Sequence, residues 1–357
     1  MTTTIRADAA HDFLALVPHL LGYHPKRSLV CVAFAGNRSI GALRHDLPPG
    51  ERAESVAVSV LGMVCRVARV DGVVPVVYAD APSGDVHAAH GPLLAAVVRR
   101  AEEAGFEVRD ALWVAADGWG SLFDDAVPPG GRRLELIRDS PAARAAEREG
   151  DAMLAESAAH LVRVPAPDPS RARAMAEALG AVDEAADPHE LAERISSGVG
   201  EPAVDELARF LLLAEHPPIR DALMLQVAFG RGVGESALAA SGGGALDEGL
   251  ADLLLGRTSI GPDVDRVRAC LASIVPAIGD APQGRRSGAL CIAGWLAWTL
   301  GRGSAAGELV TLALDETPGH TMAGLLQRFL GTGALPAWAF GAPSASSTAE
   351  RSRAPGP

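Results

Sequence analysis

Positive charge is scarce in this chain, and lysine is almost missing. Lys26 is the only lysine; arginine supplies the rest of 32 basic residues against 44 acidic ones, for a formal net charge of −12. Proteins that hold nucleic acid neutralise its phosphates with a basic face. The basic residues here are scattered and outnumbered, which argues against nucleic acid and against an electrostatic hold on anionic lipid. Aromatic residues are also few, at 4%, so any core must be built mainly from Ala, Val and Leu. Four cysteines, Cys31, Cys65, Cys270 and Cys291, stand far apart with no C-x-x-C pair. That spacing suits buried free thiols in a reducing compartment and offers neither a metal knuckle nor a redox motif. No apolar run reaches the roughly 20 residues that span a bilayer; the longest covers residues 288–300. The first ten residues lack the apolar core of a signal peptide. The expectation is a cytoplasmic protein with no membrane or nucleic-acid partner, no metal and no cofactor.

What is present is a long and apolar chain. Its 357 residues are 48% hydrophobic, too many for one ordinary core and enough to fill two. Phe13, Leu16, Val17 and Leu20 recur at helical spacing, with Asp8 placed to cap the helix and Gly22 to end it. His24-Pro25 forces an extended backbone. Residues 28–34 and 39–45 then read as two strands joined by a turn at Gly36-Asn37. A helix over 51–70 follows, with acid at its start and arginine at its end, as the helix dipole favours. Residues 73–78 (VVPVVY) form the continuous apolar run of a strand covered on both faces; Pro75 within it suggests an edge or a bulge. Another helix (86–104) and another strand (108–116) come next. A hairpin partner at 118–123 and a short apolar segment at 134–137, read as one more strand, complete the unit. This alternation predicts an α/β half, residues 1–140, with a mixed sheet and helices packed on it.

Past Ser140-Pro141 the pattern is helical throughout. A helix over 142–161 and a Pro-rich break near 165–169 make up a connector over 141–169. An all-α half of stacked helical hairpins covers 170–340, and a Ser/Ala/Pro-rich tail, read as disordered, covers 341–357. Gly230-Arg231-Gly232-Val233-Gly234-Glu235-Ser236 resembles a phosphate loop only superficially, because it lacks the lysine and follows a helix; it reads as an interhelix loop. Asp221, at a helix start, is explained by the helix dipole.

In open α/β sheets, ligands lie beyond the carboxyl ends of the parallel strands. That rule selects Arg44 and Asp46 at the end of the second strand, Asp80 after the third, and Asp117 with Trp119 after the fourth. Tyr23 and His24, just before the first strand, could join them. An imidazole, a phenol, a cation, carboxylates and an indole would make a polar candidate pocket. The plainer alternative makes Arg44 and Asp46 a surface pair and lets Asp80 and Asp117 cap turns.

One segment carries a resemblance. Leu20-Leu21-Gly22-Tyr23-His24-Pro25, Ser28-Leu29-Val30 and Arg44-His45-Asp46-Leu47-Pro48 fit an L-L-G-[FY]-x-P-x-x-S-L-V run followed by R-x-D-L-P. They resemble the opening of the DUF4192 family of actinobacterial proteins. Residues 111–123 (ALWVAADGWGSLF) are similar to that family's second block, and Ile219-Arg220-Asp221-Ala222 to a weaker late one. Many relatives follow the second block with cysteines and a C-C-P-x-x-G stretch. Here Asp124-Asp125-Ala126-Val127-Pro128-Pro129-Gly130 stands there with no cysteine, so the resemblance carries no metal or redox role to that loop, and it implies no activity.

Two functional expectations follow. In the first, the protein is a non-enzymatic interaction or regulatory protein: the α/β half is one binding surface and the helical half docks a protein partner. In the second, it is a hydrolase-like enzyme that binds a nucleotide or other small molecule, with its pocket at Arg44, Asp46, Asp80 and Asp117.

Overall fold

The computed structural model describes residues 5–47, 52–149, 154–181, 187–241 and 247–340. The expected tail, 341–357, lies outside them.

The first half is a six-stranded mixed sheet between two helical layers. Its elements run α1 (Ala10–Leu21), β1 (Ser28–Ala35), β2 (Arg38–Asp46), α2 (Ala53–Val64), β3 (Gly72–Tyr78), α3 (Ser83–Glu103), β4 (Glu107–Val108), β5 (Leu112–Val114), β6 (Trp119–Ser121), α4 (Glu135–Arg138) and α5 (Pro141–Glu149). The strands lie in the order β2-β1-β3-β5-β6, with β4 also on β3. β1 is antiparallel to both β2 and β3, whereas β3 is parallel to β4 and β5. Strand periodicity sorts the core. Leu29, Cys31, Val73 and Val77 face α2 and α3, and Val30, Val32, Val74, Val76 and Tyr78 face α1.

α1 ends where Gly22 takes a φ of +80°, a left-handed conformation that costs glycine little. Its N-cap is Ala9, with no side-chain cap, so Asp8 does not play that part. Pro75 sits inside the sheet, opposite Cys31 of β1. Its missing N–H is tolerated because pairing on the other side of β3 breaks there: Gly72 and Val73 pair with β4, and Val76–Tyr78 with β5. The predicted strand over 108–116 is broken at the same point. Residues 134–137 are a helical turn and not a strand, because Leu134 and Ile137, three residues apart, both pack toward the α1 face.

Of the helix expected over 142–161, α5 covers the stretch up to Glu149, and residues 150–153 lie outside the described residues. The chain re-enters the described region extended: Ala155 donates to the Gly22 carbonyl (3.1 Å) and accepts from the His24 amide (3.1 Å) before a 3-10 turn at Ala158–Val162.

From Pro169 to Gly331 every regular element among the described residues is a helix. These are α6 (Pro169–Ala181), α7 (Pro188–Ser196), α8 (Val204–Ala214), α9 (Pro217–Phe229), α10 (Arg231–Ser241), α11 (Glu248–Leu254), α12 (Val264–Asp280), α13 (Ser287–Thr299), α14 (Gly303–Glu316) and α15 (Thr321–Gly331). α10 replaces the loop expected at Gly230–Ser236. A Cβ on Gly234 would come within 2.5 Å of the Gln226 side chain on α9, so this glycine lets two helices approach closely and does not loosen a loop. All thirteen residues of α13 are buried, as a helix apolar on every side must be, and it forms the axis of this half. Three cysteines are buried free thiols; Cys65 is exposed. Among the described residues no helix is long and apolar enough to cross a membrane.

Candidate functional site

The register of the sheet places the strand-end candidates. Asp46, Ser28, Tyr78, Val114 and Trp119 form one transverse row, because Ser28 pairs with both Asp46 and Tyr78, and Val114 with both Tyr78 and Trp119. Tyr23 and His24 precede β1, and Asp80 and Asp117 extend past β3 and β5 at the same end. The candidates share an end of the sheet but not a pocket. Trp119 and Asp46 lie on opposite edges, four strand spacings or about 19 Å apart.

At the β2 edge, Tyr23, Arg44 and Asp46 meet. The Arg44 Nε donates to Ser28 Oγ (2.8 Å), and an Nη pairs with Asp46 (2.5 Å). The other Nη donates to Ser304 Oγ (3.1 Å) at the first turn of α14 in the helical half. The Arg44 side chain is 19% exposed and the Asp46 side chain 79%. The ion pair is therefore weak, of the order of 0–1 kcal/mol, and the contacts of Arg44 to Ser28 and Ser304 matter more. Tyr23 is buried, and burial raises its phenol above the usual value, with Arg44 opposing and Asp46 adding to the rise. His24 and Asp80 are exposed. Asp117 accepts the Ser83 amide (2.7 Å) at the start of α3, the turn-capping alternative.

At the β6 edge, Trp119 lines an open cleft of about 450 Å³. Its elements are the start of α1 (His11), the break before β5 (Arg109, Asp110), β6 (Trp119, Ser121), the loop after it (Phe123, Asp124, Arg132) and α4 (Leu136). Trp119 is 3% exposed, and its Nε1 donates to the Arg133 carbonyl (3.1 Å). The His11 ring lies 6.2 Å from it, and the Arg132 guanidinium stands 5.8 Å over its ring.

The charges around the cleft are mostly engaged with one another. Arg132 pairs with Asp124, holding that carboxyl below its ordinary value, aided by the Ala126 amide. Arg109 faces Asp71 (3.2 Å) and Glu107 (3.3 Å). Asp110 accepts the Ser121 hydroxyl (2.5 Å) and the Ala111 amide (2.8 Å), both on Oδ1. Ser121 Oγ in turn accepts the Phe123 amide (3.0 Å). Two large apolar side chains stand exposed on the rim, Phe123 at 51% and Leu136 at 46%.

The model for the domain of unknown function DUF4192 matches residues 11–337. The chain belongs to the DUF4192 family. Neither the comparison with curated proteins nor that with solved structures finds a match. In this DUF4192 chain the family's opening motif builds the β2 edge: Gly22 turns the chain, Tyr23 is buried, and Arg44 reaches across to the helical half. The second block supplies Trp119 and Ser121, and the cysteine-free loop after it supplies the outer wall of the cleft. Of that cleft, only Trp119 is a strand-end candidate. His11, Arg109, Asp110, Asp124 and Arg132 come from a helix start and from irregular segments, where no periodicity marks them. Phe123 closes the segment read as a hairpin partner, 118–123, so nothing in the sequence marks it as exposed.

A thiol and an imidazole also meet in the helical half, where Cys291 Sγ lies 3.6 Å from His320 Nδ1. Burial pushes the Cys291 thiol up to about 12, and His320 Nδ1 accepts the Ala323 amide (3.2 Å) to cap α15. A protonated thiol beside a ring nitrogen occupied as a cap is a packing pair and not an activated nucleophile. Among the described residues, no group of three or more His, Cys, Asp or Glu side chains is placed to hold a metal ion.

Proposed function

We propose that this DUF4192 chain is a non-enzymatic interaction protein that engages a protein partner at the Trp119 cleft, with the helical half as a scaffold latched to it through Arg44. The observation that carries the reading is the anatomy of the cleft. A buried indole lies at its base, Arg109 and the Arg132–Asp124 pair line its sides, and exposed Phe123 and Leu136 stand on its rim. Binding energy in protein interfaces concentrates in such places, where tryptophan, arginine and large apolar groups surround a pocket that a partner's side chain can dry. The β2 edge supports the same division of labour. Arg44, the strongest candidate there for holding a substrate, is engaged by Ser28, Asp46 and Ser304.

The test is site-specific photo-crosslinking in cells. A benzophenone side chain at position 123 is expected to trap one defined protein, and the same group at Val58, exposed on α2, is expected not to trap it. A small metabolite that raises the melting temperature and loses that effect on Arg44→Ala would instead favour an enzyme pocket at the strand ends.

A further inference from the structure

We infer that the Trp119 cleft takes a positively charged side chain, arginine or lysine, carried on an apolar stretch of a protein partner. This deepens the reading above and rests on it. The charges around the cleft decide what it can take. Arg109 faces two carboxylates, Asp71 and Glu107, and Arg132 faces Asp124. Both guanidinium groups therefore already face at least one carboxylate, and an incoming anion would meet that negative charge beside either of them. Asp110 is different. Both of its hydrogen-bond donors, the Ser121 hydroxyl and the Ala111 amide, fall on Oδ1. Oδ2 takes no donor from the described residues, and the carboxylate faces no arginine among them. Of the two carboxylates that line the cleft among the described residues, Asp124 is paired with Arg132 and Asp110 is in no ion pair.

A carboxylate with a free oxygen beside an indole and an exposed phenyl ring is a site for a cation. The carboxylate takes a charge-assisted hydrogen bond, and the exposed Phe123 ring favours an ammonium or guanidinium over an anion, as the Trp119 ring already does for Arg132. His11 is the remaining titratable group in the cleft; its ring lies against Trp119. Phe123 and Leu136 on the rim add apolar contacts for the residues flanking the charge, which a free amine lacks and a peptide supplies. The net charge of −12 works in the same direction, since it steers basic partners toward the chain and repels acidic ones.

The experiment measures binding of a fluorescent acetyl-Ala-Leu-Arg-Leu-Ala-amide peptide to the full chain. A second peptide carries citrulline, the neutral isostere of arginine, and agmatine is the free cation. The arginine peptide should bind, and citrulline should weaken it by about tenfold or more, as loss of a charge-assisted pair does. Asp110→Asn keeps an oxygen for Ser121 and Ala111 and should produce a similar loss; Phe123→Ala should weaken both peptides. The inference is overturned if the citrulline peptide binds as tightly, if Asp110→Asn leaves binding unchanged, if no peptide binds, or if agmatine matches the peptide. If both peptides bind equally and both lose affinity on Phe123→Ala, the cation is wrong and the interaction reading stands. If no peptide binds and crosslinking at position 123 is blank, both readings fail.

Discussion

α1 joins two sites of opposite character. Its first turn, at His11, lies against Trp119 on the β6 edge; just past its last turn, Tyr23 lies with Arg44 on the β2 edge. Both ends gather arginine, carboxylate, serine and an aromatic ring. At the β2 end the polar groups turn inward: Arg44 spends its donors on Ser28, Asp46 and a serine of the helical half. At the β6 end they open outward, and apolar side chains stand in solvent beside them. Similar residue types thus do different work according to what covers them. A polar cluster beneath a second packed unit has its donors satisfied within the fold, and one left open at a sheet edge keeps groups turned to solvent.

Substitutions at the two ends should separate these roles. The largest effect is expected for Trp119→Ala. It empties a nearly fully buried site and should cost about 3–5 kcal/mol in urea unfolding, taking the cleft with it. Arg44→Ala should cost less, about 1–3 kcal/mol, since it removes charge-assisted bonds at a partly exposed position. Paired with Ser304→Ala in a double-mutant cycle, it should show a coupling of about 0.5–1.5 kcal/mol. Additive losses would mean that the two halves are not latched there. Asp117→Ala should cost about 0.5–2 kcal/mol by uncapping α3, with no effect on partner binding.

Arg132→Ala should let the Asp124 carboxyl rise toward its ordinary value of about 3.9, read by NMR titration. The sign is fixed by the depressed value in the fold. The pair stabilises the protein above the ordinary carboxylate range, and that contribution fades as pH falls through the lower folded value. Phe123→Ala should shift stability by no more than about 0.5 kcal/mol while removing the docking contact.

Much of the architecture could be read from periodicity. The two strands joined by a turn over 28–34 and 39–45, the apolar run at 73–78 and the stripe of α1 each became the element they suggest, because apolar runs and helical spacing report which faces are buried. The misreadings have local causes. Gly234 looked like a loop residue, but its lack of a side chain serves close helix packing. Leu134 and Ile137 looked like a strand because a single helical turn is too short to show its period. The extended return at Ala155 depends on hydrogen bonds to Gly22 and His24, far away in the chain. The strand-end rule named Arg44 and Asp46, which lie with Tyr23 at the β2 edge, yet could not show that Ser304, 260 residues on, would occupy Arg44. It reached the β6 cleft only through Trp119, since Asp110 and Arg132 lie in irregular segments that no period describes.

The most direct test of this division is to compare binding of the arginine peptide by Arg44→Ala and by Phe123→Ala, each confirmed folded by circular dichroism. Arg44→Ala is expected to bind as the unaltered chain does although it unfolds at lower urea, and Phe123→Ala to lose binding although its stability is unchanged. Loss of binding in folded Arg44→Ala, with Phe123→Ala unaffected, would contradict that expectation and move the recognition site to the β2 edge.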